Sequence, residues 1–277
     1  MKLAYSTYAL QKIDPFDAIA GVKEIGYDAL ELSVGDDWTT SPPKLDTDTR
    51  KRLRDALQSV GFPTPVLMHL FGPCAAEEDV DEQMGILAGT CRLASDLSLD
   101  DRPRVVTTTL GKRPGTWDEN RDAYVDELQP YAQVAEDHGV ILALEPHGGQ
   151  AFDSPEKAVW LVQAVDRPSI RLNFDHSHFH VQGMGIEHCT KLVAPYSVHT
   201  HLKDGYKQDG RVHFQLPGEG NLDLATYFRA VADAGIEVPM TVEISGQIWL
   251  RDGYNPWATA RTCFESMRAG LEKAGIQ

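Results

Sequence analysis

Three runs decide the fold of this 277-residue chain: Ile141-Leu142-Ala143-Leu144-Glu145-Pro146-His147, then Asp153-Ser154-Pro155-Glu156, then Ile170-Arg171-Leu172-Asn173-Phe174-Asp175. The first is short, apolar and stopped by a proline, so it reads as a buried strand. The second supplies a helix cap with a proline at the first helical position, and it opens an amphipathic stretch reaching Val165. The third is a strand again. Two strands joined by a helix run parallel, because a parallel neighbour is reached only through a crossover connection.

The same unit recurs in both directions. Apolar or β-branched runs fall at residues 3–5, 29–32, 64–68, 104–108, 141–144, 170–174, 197–201 and 240–244. Between them lie helical patterns: one opening at Asp14-Pro15, then 46–60, 80–97, 120–138, 222–234 and 257–273, several of them closed by a glycine such as Gly61, Gly139 or Gly235. About eight alternations predict an α/β fold, a single (β/α)8 TIM barrel spanning residues 1–277 as one domain. A doubly wound sheet that binds nucleotide would carry Gly-x-Gly-x-x-Gly after an early strand, and Ser6-Thr7-Tyr8-Ala9 stands there instead.

Composition narrows the function. Lys and Arg number 26 against 41 Asp and Glu, a net charge of −15 that disfavours nucleic acid and anionic membrane surfaces as partners. No apolar run approaches the length of a membrane span, and the N-terminal Met-Lys-Leu-Ala-Tyr-Ser-Thr-Tyr lacks the apolar centre of a signal peptide. Cys74, Cys91, Cys189 and Cys263 form no CxxC pair, which predicts reduced thiols and a cytoplasmic protein. No Gly/Ser-rich or Pro-rich linker interrupts the chain.

In a barrel, reacting side chains stand at the C-terminal ends of strands. The fifth predicted strand ends in Glu145, the sixth in Asp175, the seventh in His199-Thr200-His201 and the eighth in Glu243. Glu145, Asp175, His201 and Glu243 would thus share one rim. Three carboxylates and one imidazole suit Mn²⁺, Mg²⁺ or Co²⁺ better than structural zinc, and without a cation they would repel one another. Taken singly each has a plainer explanation: Asp175 could cap a turn, and His201 could be a satisfied core histidine.

Here the sequence resembles a known family. Gly26-Tyr27-Asp28-Ala29-Leu30-Glu31-Leu32, Ala143-Leu144-Glu145-Pro146-His147, Asn173-Phe174-Asp175-His176-Ser177-His178, His199-Thr200-His201-Leu202-Lys203-Asp204, Pro217-Gly218-Glu219-Gly220-Asn221-Leu222-Asp223 and Val242-Glu243-Ile244 follow in that order. They are similar to the sugar isomerase/epimerase superfamily with a xylose isomerase-like TIM barrel, which includes ketose 3-epimerases, inosose dehydratases and hydroxypyruvate isomerases. The resemblance spans essentially the whole chain. It implies one divalent metal ion (Mn²⁺ first, with Mg²⁺, Co²⁺ or Zn²⁺ as alternatives) held by Glu145, Asp175, His201 and Glu243. It also implies Glu145 and Glu243 as the proton-transfer pair, His178 against the substrate, and a homo-oligomer, dimer or tetramer. Two positions depart from the epimerase pattern: Lys207 stands where those enzymes place an arginine, and Ala151 where they place a substrate-contacting glutamate.

Such a centre abstracts a proton next to a carbonyl and stabilises the enediolate on a metal. Return of the proton to the other face gives epimerisation and return to the adjacent carbon gives isomerisation. Loss of a β-leaving group would make the enzyme a lyase or dehydratase acting on inosose or 3-keto-sugar derivatives. The expected activity is therefore a metal-dependent sugar isomerase or epimerase in carbohydrate metabolism, with a small sugar or polyol as substrate and a lyase as the alternative. Further candidates for substrate binding are His69, Lys203, Lys207, Trp38 and Trp117; four of them also have a structural reading, a core contact for His69 and the two indoles and solvent exposure for Lys203. Glu31 reads as a substrate contact, as a group supporting the ligands or as a simple loop carboxylate, and His199, on the same face as His201, as an orienting group or a core polar residue. An endonuclease-IV-like repair enzyme would need a histidine after the fourth strand, where Thr107-Thr108-Thr109 stands.

Overall fold

Among the described residues, eight parallel strands close on themselves in a computed structural model of the chain, which describes residues 1–76 and 79–277. The barrel strands are β1 (Leu3–Ser6), β2 (Ala29–Ser33), β3 (Val66–Met68), β4 (Arg104–Thr109), β5 (Val140–Glu145), β6 (Ile170–Asp175) and β7 (Ser197–Leu202). After β7 the chain makes an antiparallel hairpin, β8 (Asp204–Gln208) and β9 (Arg211–Gln215), before β10 (Met240–Val242) completes the ring. Around the barrel the order is β1-β10-β7-β6-β5-β4-β3-β2. The strands are nearly continuous apolar runs because both faces are covered, one by the barrel interior and the other by helices.

The helices are α1 (Pro15–Ile25), α2 (Thr47–Ser59), α3 (Val80–Asp96), α4 (Trp117–Asp137), α5 (Pro155–Val165), α6 (His176–His180), α7 (Ile186–Val193), α8 (Leu224–Asp233), α9 (Gly246–Trp249) and α10 (Pro256–Ala274). Their starts follow from side-chain caps: Asp14 accepts from the Phe16 N–H, Ser154 from Lys157 and Asn255 from Ala258. The helix expected from residue 120 begins at Trp117, because Glu119 reaches back to the Thr116 N–H at 2.7 Å and completes a capping box. That expected from 222 begins at Leu224, since Asp223 takes the N–H groups of Ala225 and Thr226. Cys74, Cys91, Cys189 and Cys263 are buried free thiols. No helix among the described residues is long and apolar enough to cross a membrane.

One buried carboxylate fixes the rim after β7. Asp204 accepts backbone N–H groups from Gly205 (2.7 Å), Gly218 (3.0 Å), Gly220 (3.1 Å) and Leu222 (3.0 Å), tying the base of the hairpin to the Pro217–Gly220 loop. The approach is so close that a Cβ on Gly220 would lie 2.2 Å from the Asp204 Oδ1. Gly220→Ala is therefore expected to destabilise the protein by roughly 2–4 kcal/mol, read as a lowered urea or thermal midpoint. An unchanged midpoint would show that the loop does not depend on this carboxylate.

Candidate active site

Strand register sets the level of the functional groups. Asp175 is paired with His201 across β6 and β7, and His201 with Thr241 across β7 and β10, so three strand ends finish at one height. Glu145 closes β5 on the far side of β6, and Glu243 follows β10 directly. All four side chains are buried, and one ligand atom from each of Glu145, Asp175, His201 and Glu243 falls within 4.8 Å of the others. The expected convergence is present.

Asp175 serves two functions. Its Oδ1 accepts from the Ser177 N–H at 2.9 Å and caps α6, while Oδ2 turns toward the cluster. The capping and cluster explanations of this residue therefore hold together. His201 is aimed from behind: its Nε2 lies 2.8 Å from the Glu31 Oε2, and the same oxygen meets the His199 Nε2 at 2.7 Å. Burial pushes the Glu31 carboxyl up, but His201 and then His199 pull it well below the usual carboxylate range, so it stays ionised. With Nε2 set against Glu31, the Nδ1 of His201 faces the cluster, 3.5 Å from Glu145 Oε2 and 3.6 Å from Glu243 Oε2; burial lowers the pKa of the ring, but Glu31, Glu243 and Glu145 raise it well above the usual histidine range. The Asn173 side-chain amide stands 3.0 Å from that Nδ1.

Lys203 is not an exposed loop lysine. It is 4% exposed, and its ammonium contacts Asp175 and Glu243 while standing 3.8 Å from Glu145. Burial lowers its pKa, and Asp175, Glu243 and Glu145 more than reverse this, so it remains charged. Glu145 resists burial through Lys203 and His201 and is held well below its ordinary pKa; Glu243 is raised, with burial outweighing the same two cations.

His178 flanks the cluster, its Nε2 3.4 Å from Glu145 and 3.8 Å from Asp175. The ring packs against His147 at 3.9 Å between centroids and meets Phe214 edge-on. Among the described residues neither of its buried nitrogens has a well-formed hydrogen bond. Beside β2 and β3 a cavity of about 390 Å³ opens at the rim, lined by Tyr8, Trp38, His69 and Phe71 among others. Trp38 stacks on Tyr8 with Trp249 edge-on to both. His69 lines the cavity with its Nδ1 paired to the Thr90 hydroxyl at 2.8 Å. Tyr8 links this cavity to the cluster: burial, then the Glu243 charge, raises its phenol.

Two sequence candidates stand apart. Trp117 opens α4 and is enclosed by Tyr124, Phe152 and Trp160 in the helical layer, so its indole packs there and not at the rim cavity. Lys207 is exposed on β8, opposite Val212. Conversely, Tyr8, His147, Asn173, Phe214 and Trp249 enter the site without having been singled out. For Phe214 a signal existed: Asp209-Gly210, both at positive φ, is a hairpin turn pair.

The cluster fits a divalent cation on its own chemistry. It is oxygen-rich, buried and compact, and a cationic group already stands inside it.

Comparison with known proteins agrees with this architecture. The chain belongs to the xylose isomerase-like TIM barrel family, which matches residues 19–267. It is 26% identical over 237 residues to the L-ribulose 3-epimerase of Methylomonas sp. (strain DH-1), covering 82% of this chain and 77% of that protein. To the inosose isomerase of Bacillus subtilis (strain 168) it is 28% identical over 135 residues, 46% of this chain and 48% of the relative, about half of each. The solved D-psicose 3-epimerase of Clostridium cellulolyticum H10 shares the fold at a TM-score of 0.77 and 17% identity, over 98% of this chain and 99% of that one.

Proposed function

We propose that the protein is a divalent-metal-dependent isomerase or epimerase of keto-sugars or keto-polyols, acting by proton transfer at the carbon next to a carbonyl. The observation that carries this reading is the meeting of Glu145, Asp175, His201 and Glu243 at the C-terminal rim of the barrel. Those four would hold the ion. When bound, such an ion (Mn²⁺ in the first place, otherwise Mg²⁺, Co²⁺ or Zn²⁺) supplies positive charge against the charge that develops on a carbonyl oxygen as the neighbouring C–H is broken. The epimerase and isomerase names of the relatives support the same class of chemistry.

The remaining work belongs to the chain's own groups. Glu145 ends β5 and Glu243 directly follows β10, strands separated in the barrel by β6 and β7, and so they would reach a substrate held between them from different sides. One takes the proton and the other returns it. His178, buried beside Glu145, would hold a substrate oxygen, and Lys203 would do so once clear of the carboxylates. His69 and Trp38 line the cavity in which the rest of a sugar would lie, with the indole available to a sugar face.

The test is metal analysis of the purified protein together with deuterium incorporation from heavy water into a panel of ketoses and keto-polyols. The expected result is one divalent ion per chain and deuterium at a carbon α to a carbonyl, with substrate mass otherwise conserved. Loss of water would move the assignment to a lyase. Metal binding without exchange into any substrate of the panel would overturn the proton-transfer reading.

A further inference from the structure

We propose that Lys203 is an internal counter-cation of the metal centre: its ammonium holds the carboxylates when no divalent ion is bound and must leave the cluster when one binds, so that it sets the metal affinity of the site. The inference rests on the metal-site reading above.

Three observations lead to it. First, the ammonium contacts Asp175 and Glu243 and lies 3.8 Å from Glu145, so it faces all three carboxylates of the candidate ligand set. Second, there is no room for two cations. The candidate ligand atoms lie within 4.8 Å of one another, and a transition ion sits about 2.0–2.2 Å from its oxygen ligands, so an ammonium left in place would be forced against it. Third, the lysine is held where it is. It lies two residues after His201 and shares its inward face, its ammonium stands 5.6 Å from the centre of the Phe214 ring, and the next residue is Asp204, anchored by four backbone N–H groups. The arrangement places a positive charge in the centre by construction.

The two cations nevertheless differ in what they can use. An ammonium is a hydrogen-bond donor and serves the carboxylates; a metal ion would also take the Nδ1 of His201, which faces the cluster and loses its proton on binding, a ligand no ammonium can use. Exchange is therefore possible and uphill by the loss of the Lys203 ion pairs. If Lys203 were instead a purely structural member of the cluster, its removal would loosen the ligands and weaken metal binding. The two roles predict opposite signs.

The experiment is the Mn²⁺ dissociation constant of the full-length parent and of Lys203→Met, measured by competition with a chromophoric chelator at fixed pH and ionic strength. The expected result is tighter binding by the variant by about tenfold or more. The rise in melting temperature on saturation with Mn²⁺ should also be larger for the variant than for the parent. Equal or weaker Mn²⁺ affinity in the variant would overturn the inference while leaving the metal site standing. Failure of parent and variant alike to bind Mn²⁺ would overturn both. Should Lys203→Met not accumulate as folded protein, Lys203→Gln is expected to shift the affinity in the same direction, and the same results decide.

Discussion

Replacing Glu145 or Glu243 by glutamine is expected to slow solvent-deuterium exchange into the substrate by about 10²–10⁴-fold, the usual contribution of a positioned acid or base. Glutamine keeps the shape and one oxygen ligand of each side chain but cannot accept the proton. The loss should therefore appear in the exchange rate, with the metal still bound at saturating concentration. The two glutamates stand at the ends of strands separated by β6 and β7, Glu145 closing β5 and Glu243 following β10, so neither can cover for the other from its own side. Since both act on a single proton-transfer sequence, the double variant should be little slower than the slower single one, because groups acting as a unit are not additive. The measurements are exchange rate, epimerised product and metal content for each variant. Exchange as fast as in the parent, with metal retained, would remove both residues from the proton-transfer role.

The four strand-end positions were legible because each follows a short apolar run, and a barrel gives every such run the same orientation. The sequence also left a choice at Asp175 between helix cap and ligand. The structure shows why local reasoning finds no winner: a carboxylate has two oxygens, and here Oδ1 caps while Oδ2 faces the cluster. Lys203 was legible only as a residue near the site. A lysine after a strand is ordinarily solvated, and what makes this one tolerable inside is the set of carboxylates delivered by β5, β6 and the end of β10, far away in sequence. Trp38 and Trp117 look alike in the sequence, each an indole in a loop after a strand. Their difference lies in their neighbours, Tyr8 at the rim for one and the Tyr124, Phe152 and Trp160 rings for the other. The β8–β9 hairpin carried its own local signal in Asp209-Gly210, which a reading that expects a helix after every strand passes over.

Glu31→Gln is expected to weaken Mn²⁺ binding by about 10–100-fold, the usual cost of removing a carboxylate that orients a metal-bound imidazole. Of the four candidate ligands Glu31 hydrogen-bonds His201, and its charge favours a proton on the Nε2 of that ring when Nδ1 binds a metal. A neutral amide can place its oxygen where Oε2 stands and still accept from both histidines, but it carries no negative charge, so the His199–Glu31–His201 arrangement loses its single ionised acceptor. The His201 Nδ1 is then held less firmly toward Glu145 and Glu243, and part of the binding energy goes into orienting the ring. The sign is opposite to that expected for Lys203→Met, although both residues are buried, charged and next to the ligand set. A general loosening of the core would weaken metal binding in both variants; a tautomer-setting carboxylate and a competing ammonium separate them. The measurement is the Mn²⁺ dissociation constant at fixed pH, with the melting temperature of the metal-free protein as a check on the fold. Parental affinity in Glu31→Gln would show that His201 needs no partner behind it to present its lone pair.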